Sequence, residues 1–407
     1  MLVAASLVML MTPGLAFFYG GLVGRRNVLA IMIQSYVSMG WTTIIWWACG
    51  YSLVFSGGEG GIIGNLNLAF LQGVRPTDVI ASNGVPLLVM FVYQMMFAII
   101  TPALITGAFA NRIRFGAYMV FLTLWLFFVY FPIAHMVWGN GLFASWGVLD
   151  FAGGTAVHTT AGFAALASVL FVGKRVVKDK GPHSIPLVAL GTGLLWFGWY
   201  GFNAGSELKV DHVTLLAFAN TDICASVAAI TWLFIAWKFE KKPKFVGLLT
   251  GAVAGLVAIT PAAGYVPIGG SVAIGVIVSL ICYMAVEFKN KMGLDDALDV
   301  WGVHGIGGVV GCICTGIFAS KEWNPGGADG LLNGGTHFFL METLSVVITA
   351  VSAFVFSYGS LWLISKVMRV KASEHEEEVG LDSSLHGELA YEEGEVAVAI
   401  RERSHAL

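Results

Sequence analysis

The charged residues of this chain are gathered into short clusters, and between them lie eleven apolar runs of about eighteen residues or more. The runs fall at roughly 2–22, 28–55, 86–110, 115–136, 149–172, 186–205, 213–237, 245–264, 268–287, 300–318 and 336–367. In lipid the backbone polar groups of such a run must be satisfied within the segment, and a helix does this. The pattern therefore predicts an all-α integral membrane protein with eleven transmembrane helices set in the lipid bilayer. Only 12% of the 407 residues are charged, against about a quarter in soluble domains. In that setting the 51 glycines read as close helix–helix packing rather than flexible loops. The net charge of −3 gives no reason to expect a nucleic-acid partner.

The opening stretch lacks the basic start of a signal peptide, and Pro13, Tyr19 and Arg25-Arg26 suit a first spanning helix better. Alternate loops can then be assigned to the two sides. Arg25, Arg26, Arg112, Arg114, Lys174, Arg175, Lys178, Lys180, Lys238, Lys241, Lys242, Lys244, Lys289, Lys291 and the C-terminal basic residues fall on one side. Arg75, Lys209 and Lys321 fall on the other, a bias of 19 to 3. The positive side is expected to be cytoplasmic, with the N-terminus outside and the C-terminus inside. The last run, 336–367, would be about 48 Å long as a helix, so it must tilt or protrude. After Met368 the chain becomes acidic and polar for about forty residues. This divides it into a transmembrane unit over 1–367 and a cytoplasmic tail over 368–407.

The five cysteines sit mostly within apolar runs, and Cys312-Ile313-Cys314 has no further ligands at usable spacing. They read as small buried hydrophobes, so neither a metal nor another cofactor is expected.

Two halves, about 1–172 and 186–318, carry related segments. Asp150-Phe-Ala-Gly-Gly-Thr-Ala-Val-His158 matches Asp296-Ala-Leu-Asp-Val-Trp-Gly-Val-His304, an Asp eight residues before a His in each, with glycines following. Phe18-Tyr19-Gly20-Gly21 is echoed by Trp199-Tyr200-Gly201-Phe202. Five spans per half require the second half to be inverted, and inverted repeats place a shared site near the midplane. A His eight residues into a helix lies about 12 Å deep, where an ionisable group is costly and usually functional. Tying neighbouring helices together is the alternative use of each imidazole.

Ala134-His-Met-Val-Trp138, the Asp150–His158 segment, Gly198-Trp-Tyr-Gly-Phe-Asn-Ala-Gly-Ser206, Thr260-Pro-Ala-Ala-Gly264 and Gly302-Val-His304-Gly305 resemble signature segments of the Amt branch of the Amt/Mep/Rh ammonium transporters. The resemblance spans both halves. It implies a homotrimer in which each protomer has its own narrow apolar pore, passing ammonium or ammonia and methylammonium. It implies an outer recruitment site at Trp138, Ser206 and Phe97, and a stacked gate of Phe97 and Phe202. Below these it places Trp199 and the paired imidazoles of His158 and His304.

The chemistry of these residue types agrees with the implied roles. A Trp face attracts a small cation, and a Ser hydroxyl accepts from an N–H. Trp138 as an interfacial anchor, and the two Phe as ordinary packing, are the alternatives. Asp150, at the outer end of its helix, is expected to order the vestibule through hydrogen bonds and secondarily to favour an arriving cation. A bare ammonium cannot cross an apolar bore, because desolvating an unpaired charge is too costly, whereas ammonia can. A proton is thus expected to leave at or below the Phe gate.

Two further classes compete. A membrane metalloenzyme would need tighter His/Glu spacing than is present, so no enzyme activity is expected. An ammonium sensor would signal without much flux, through a separate PII-type partner. Asp222 and Glu342 lie inside apolar runs without an evident basic partner. Asn220 and Thr221 are the expected hydrogen-bond partners of Asp222. In the tail, Gly380, Leu381, Asp382, His386, Gly387 and Tyr391 resemble the regulatory tail by which such proteins communicate between protomers and meet PII signalling proteins. The glycines offer sharp turns, and Arg112, Arg114, Lys242 and Lys244 offer charge for docking it.

Overall fold

A computed structural model of the chain describes residues 1–179 and 181–391. Lys180 of the basic set, and 392–407 of the expected tail, lie outside the described residues. Among the described residues eleven apolar helices follow one another. They are α1 (Leu2–Leu22), α2 (Val28–Phe55), α3 (Leu87–Ile105), α4 (Phe115–Ser145), α5 (Gly154–Val172), α6 (Ile185–Glu207), α7 (His212–Glu240), α8 (Phe245–Ile259), α9 (Ile268–Lys291), α10 (Trp301–Phe318) and α11 (Thr336–Ser365). All but α8 are long and apolar enough to cross a membrane on their own. Two short helices, α12 (Glu374–Val379) and α13 (Leu381–His386), follow. No strand occurs among the described residues, only isolated bridges.

Several helices begin or end differently from the apolar pattern, and side chains explain two of these differences. The run at 245–264 stops being helical at Ile259, ahead of Pro261. Asn220 Nδ2 then donates to the carbonyls of Ala263 and Val266, each at 2.9 Å, and Asn324 Nδ2 to that of Gly264 at 2.9 Å. Irregular backbone survives in a bundle where its polar groups are taken up in this way. The run at 149–172 becomes helical only at Gly154, so His158 is the fifth residue of α5 rather than lying eight residues in.

The helix pairs run in the sense that inverted repeats require. On α1 and α6, low numbers meet high ones. A Cβ on Gly201 would touch Ala4 and Leu7, one on Gly198 would touch Met11, and one on Gly191 would strike the Phe18 backbone. The histidine helices α5 and α10 pair likewise. A Cβ on Gly162 would overlap the Gly305 backbone, and one on Gly308 would meet Thr159. Small residues allow this approach, which lets dispersion replace the missing hydrophobic drive between helices in lipid.

At one end of the bundle the basic loops are sewn together. Arg112 is fully buried. Its guanidinium donates to the carbonyls of Ala108 and Gly173, and to that of Asp295 at 2.7 Å. Asp295 also pairs with Arg175 at 2.7 Å. Burial alone would push the Asp295 carboxyl up, but its bonds to Arg175 and the charge of Arg112 outweigh that and hold it at about 2.

The tail docks on this end, with Arg114 alone of the four basic side chains expected to hold it. Arg114 pairs with Glu376 at 3.2 Å, whereas the Arg112 side chain is turned inward and only its carbonyl meets the tail, accepting from Ala372 N–H at 2.7 Å. Lys244 is paired with Glu240 at the end of α7, and Lys242 is exposed. Both terminal nitrogens of Arg112 are taken up by carbonyls inside the bundle, which holds the guanidinium away from a surface acid. The rest of the docking comes from Arg26 donating to the Glu378 carbonyl at 2.6 Å and from Val176 N–H reaching Glu377 at 2.8 Å. Gly380, at φ 104, lies so close to Arg26 that a side chain would clash. Gly387 ends α13 at φ 68.

Candidate functional site

Asp150 organises the end of the site where α5 begins. Its carboxylate is buried and accepts from four successive backbone groups: Gly153 and Gly154 at 2.7 Å each on Oδ1, Thr155 at 2.8 Å and Ala156 at 3.0 Å on Oδ2. Those are the N–H groups that the start of a helix leaves unpaired, so the side chain closes the N-terminus of α5. Asp296 does the same for α10, accepting from Val300 at 3.1 Å and Trp301 at 2.8 Å. Each capped helix then opens with a π turn, Gly154–Thr159 and Trp301–Gly305, and each turn carries its histidine. π turns are frequent at functional sites because the wider turn redirects a side chain.

The carbonyl of Asp150 has a second use. It accepts the indole N–H of Trp138 at 2.9 Å, which fixes that ring on the wall from α4. Trp138 stands edge to face with Phe97 at 5.8 Å, and Phe97 lies flat on Phe202 with centroids 4.1 Å apart and planes 19° from parallel. Both Phe rings are buried. Ser206 sits one turn beyond Phe202 and donates its hydroxyl proton to the Phe202 carbonyl at 2.8 Å, which leaves its oxygen to accept. The structure thus groups Trp138, Phe97, Phe202 and Ser206 at one level.

Tyr93 was not singled out by sequence. Its hydroxyl reaches the carbonyls of Gly201 and Phe202 at 2.9 and 3.0 Å, and Ser206 Oγ at 3.1 Å. Its ring also meets Phe97 edge to face at 5.1 Å. The one signal for it was its position a single helical turn before Phe97.

Beneath the Phe pair, Trp199 donates to Thr260 Oγ1 at 2.8 Å and stacks on His158 with centroids 5.5 Å apart. The Nδ1 atoms of His158 and His304 are 3.3 Å apart. A neutral imidazole has one donor and one acceptor nitrogen. Sharing a proton between the two Nδ1 atoms therefore leaves one Nε2 as an acceptor and the other as a donor. His158 Nε2 is buried and has no protein partner among the described residues.

His158, His304, Trp199, Phe202, Leu104 and Val253 are among the residues around a cavity of about 10 Å³, close to the room one water needs. On its far side His304 and Val303 also line a cavity of about 270 Å³, together with Tyr19, Asp179, Arg175 and Asp299. The imidazole pair therefore stands between a tight apolar space and a wider polar one.

The acids inside the spans have different partners from those expected. Tyr200 donates to Asp222 Oδ1 at 2.7 Å, while Asn220 serves the backbone after α8, and Thr221 accepts from Asn203 at 2.9 Å. Glu342 is buried and accepts from the Leu149 N–H at 3.1 Å. Four of the cysteines are buried and Cys49 is half-buried. No group of three or more His, Cys, Asp or Glu is placed to hold a metal among the described residues.

In the tail, Leu381 packs with Ala30 and Ala372. Asp382 Oδ1 accepts from Ala30 N–H at 2.8 Å at the start of α2, and His386 meets the edge of Phe115 at 5.5 Å. Tyr391 lies under Arg25 at 4.8 Å and 2.8 Å from His183 Nε2.

Comparison with known proteins places this geometry. A family model described as Ammonium Transporter Family matches residues 1–391. The chain is 44% identical over 397 residues to the ammonium transporter of Bacillus subtilis, covering 97% of this chain and 98% of that one. Its fold is similar to the crystal structure of Candida albicans Mep2, with a TM-score of 0.86 and 38% identity over 92% of this chain and 85% of that one. It is also similar to a structure described as a sensor Amt protein, with a TM-score of 0.86 and 30% identity over 93% and 95% of the two chains.

Proposed function

Because the chain belongs to the ammonium transporter family, we propose that it collects ammonium at Trp138 and Ser206, removes a proton, and passes ammonia between Phe97 and Phe202 to the histidine pair. The observation that carries this reading is the pair itself, with Nδ1 atoms 3.3 Å apart beside a cavity of about 10 Å³.

The electron-rich face of Trp138 and the lone pairs of Ser206 oxygen favour a small cation that donates N–H bonds. Asp150 holds the Trp138 ring in place and adds negative charge nearby. Beyond the gate the bore has no group to balance a charge, so ammonia enters and the proton stays with the vestibule or travels separately. The pair meets ammonia with one acceptor and one donor nitrogen, matching a molecule that does both. Two adjoining imidazoles resist double protonation, which keeps a second cation out. Potassium has no proton to release and makes no directional hydrogen bond.

The same proposal assigns 1–367 to transport, as inverted repeats over about 1–172 and 186–318 plus the last helix, and 368–407 to regulation. It places the basic end in the cytoplasm of a cell that carries the protein in its plasma membrane, and it assembles the chain as a homotrimer that a PII signalling protein meets at the tail. Proteoliposome uptake of methylammonium, with potassium as competitor, tests the transport reading. Loss of neither rate nor selectivity in both His158→Ala and His304→Ala would overturn it. Current recorded under an ammonium gradient decides whether the proton accompanies the substrate.

A second reading, an ammonium sensor acting through a PII-type partner, is favoured by the likeness to the sensor Amt protein. Ligand binding without measurable uptake is the result that would select it.

A further inference from the structure

We propose that Glu342 is a positioning residue of the outer vestibule, holding from the last helix the Leu149–Asp150 backbone on which Trp138 and α5 both depend. This rests on the recruitment role given above to Trp138.

Glu342 lies on α11, which supplies no residue to the pore site, and it is completely buried. A carboxyl group inside a spanning helix is costly and is seldom kept without a use. No basic group lies within ion-pair distance of it among the described residues. Its contact is specific: Oε2 accepts the Leu149 N–H at 3.1 Å. Leu149 falls in the non-helical stretch before α5, so its N–H has no helical carbonyl to meet. The next residue, Asp150, gives its carbonyl to Trp138 and its carboxylate to four N–H groups of α5. One hydrogen bond from Glu342 therefore anchors the segment that sets both the recruiting ring and the histidine helix.

Packing around Glu342 makes the brace stiff. Met341 and Ile348 pack against the cluster that holds Val137 and Ala156, and Trp138 packs against the same cluster. On the other side, a Cβ at Gly316 of α10 would meet Phe339 and Glu342 Cβ. The turn of α11 that carries Glu342 thus touches both the wall with Trp138 and the helix with His304. Removing the acceptor leaves a buried N–H unpaired and frees Asp150 to move, and displacements of about 1 Å matter where geometry sets recognition.

The test uses the full-length protein in proteoliposomes, with methylammonium uptake measured against concentration for Glu342→Met, Glu342→Gln and Trp138→Leu. Met fills similar space but cannot accept, while Gln keeps an oxygen for the Leu149 N–H. E342M is expected to raise the half-saturation concentration about threefold to tenfold, with a smaller change in maximal rate, as loss of a binding interaction does. E342Q is expected to match the wild type. Wild-type half-saturation in E342M overturns the proposal, as does an E342Q as impaired as E342M, which would assign the role to the acid's proton. If W138L leaves half-saturation unchanged, the recruitment reading fails and takes this proposal with it. A shift in W138L but none in E342M sinks the Glu342 brace alone. Should E342M not fold, Glu342→Asp, which withdraws the acceptor by one methylene, is read by the same criteria.

Discussion

Asp150 shows how one residue can order both a helix start and a neighbouring aromatic ring. Each of its oxygens accepts two N–H groups. Asp150→Ala strands four buried donors, and a penalty above about 3 kcal/mol is expected, given about 1–3 kcal/mol for each buried group left unpaired. Asp150→Asn keeps one oxygen and so two of the four bonds. We expect uptake to be abolished in D150A and partly retained in D150N. Equal, normal uptake in both would remove Asp150 from the mechanism. The histidines behave oppositely. His158→Ala and His304→Ala each leave a polar gap but no stranded charge, so selectivity or rate should suffer more than thermal stability does. Melting temperatures of the purified variants, set beside their methylammonium uptake, separate the two effects.

At the scale of helices, the site exists because α5 and α10 cross at Gly162 and Gly305 with no room for a methyl group. Gly162→Ala touches no substrate, yet overpacking of this kind costs about 1–3 kcal/mol and pushes the histidines apart. Its uptake should fall together with its melting temperature, and a variant with wild-type values of both would show that the crossing tolerates expansion. The loops at the basic end behave as a charge-dependent latch. The Asp295 carboxyl sits at about 2 when folded, against an ordinary value of 3.8. Its contribution to stability is therefore complete above about pH 4 and is lost as pH falls toward 2. Thermal unfolding in detergent between about pH 4 and 2 should show a downward slope that Asp295→Asn makes shallower. An identical slope in the variant would mean that other carboxylates dominate.

For the molecule as a whole, the tail connects parts far apart in sequence. Leu381 and Asp382 lock onto the start of α2, Glu376 onto Arg114, and Tyr391 onto His183 and Arg25. Removing everything after Met368 exposes these loops together, and lower uptake and loss of PII binding are expected. Undiminished PII affinity in a calorimetric titration of the truncated protein would take the docking role away from the tail. Leu381→Asp, which places a charge in the small cluster with Ala30 and Ala372, should reproduce the uptake defect without shortening the chain.

The sequence by itself determined the helix count, because a run of apolar residues long enough to span lipid has few other solutions. It also marked the histidine pair, since the Asp-to-His spacing repeats in both halves and the structure brings the two rings together. Glycine placement announced close crossings without saying which helices meet. Only the tertiary structure decided that α5 begins at Gly154 and α8 ends at Ile259, because the side chains that satisfy the freed backbone come from Asp150, Asn220 and Asn324. For the same reason Tyr93 was passed over in the sequence and Glu342 was marked there without a role. A Tyr in an apolar helix looks like packing, and an acid shows its use only when the N–H it meets is known. Arg112 was misjudged on equal grounds: counting charge on a loop cannot tell an exposed guanidinium from one whose carbonyl partners lie four residues back and on two other segments. Periodicity reports what a residue shares with its own helix, whereas a hydrogen bond between distant segments depends on where the rest of the chain comes to lie.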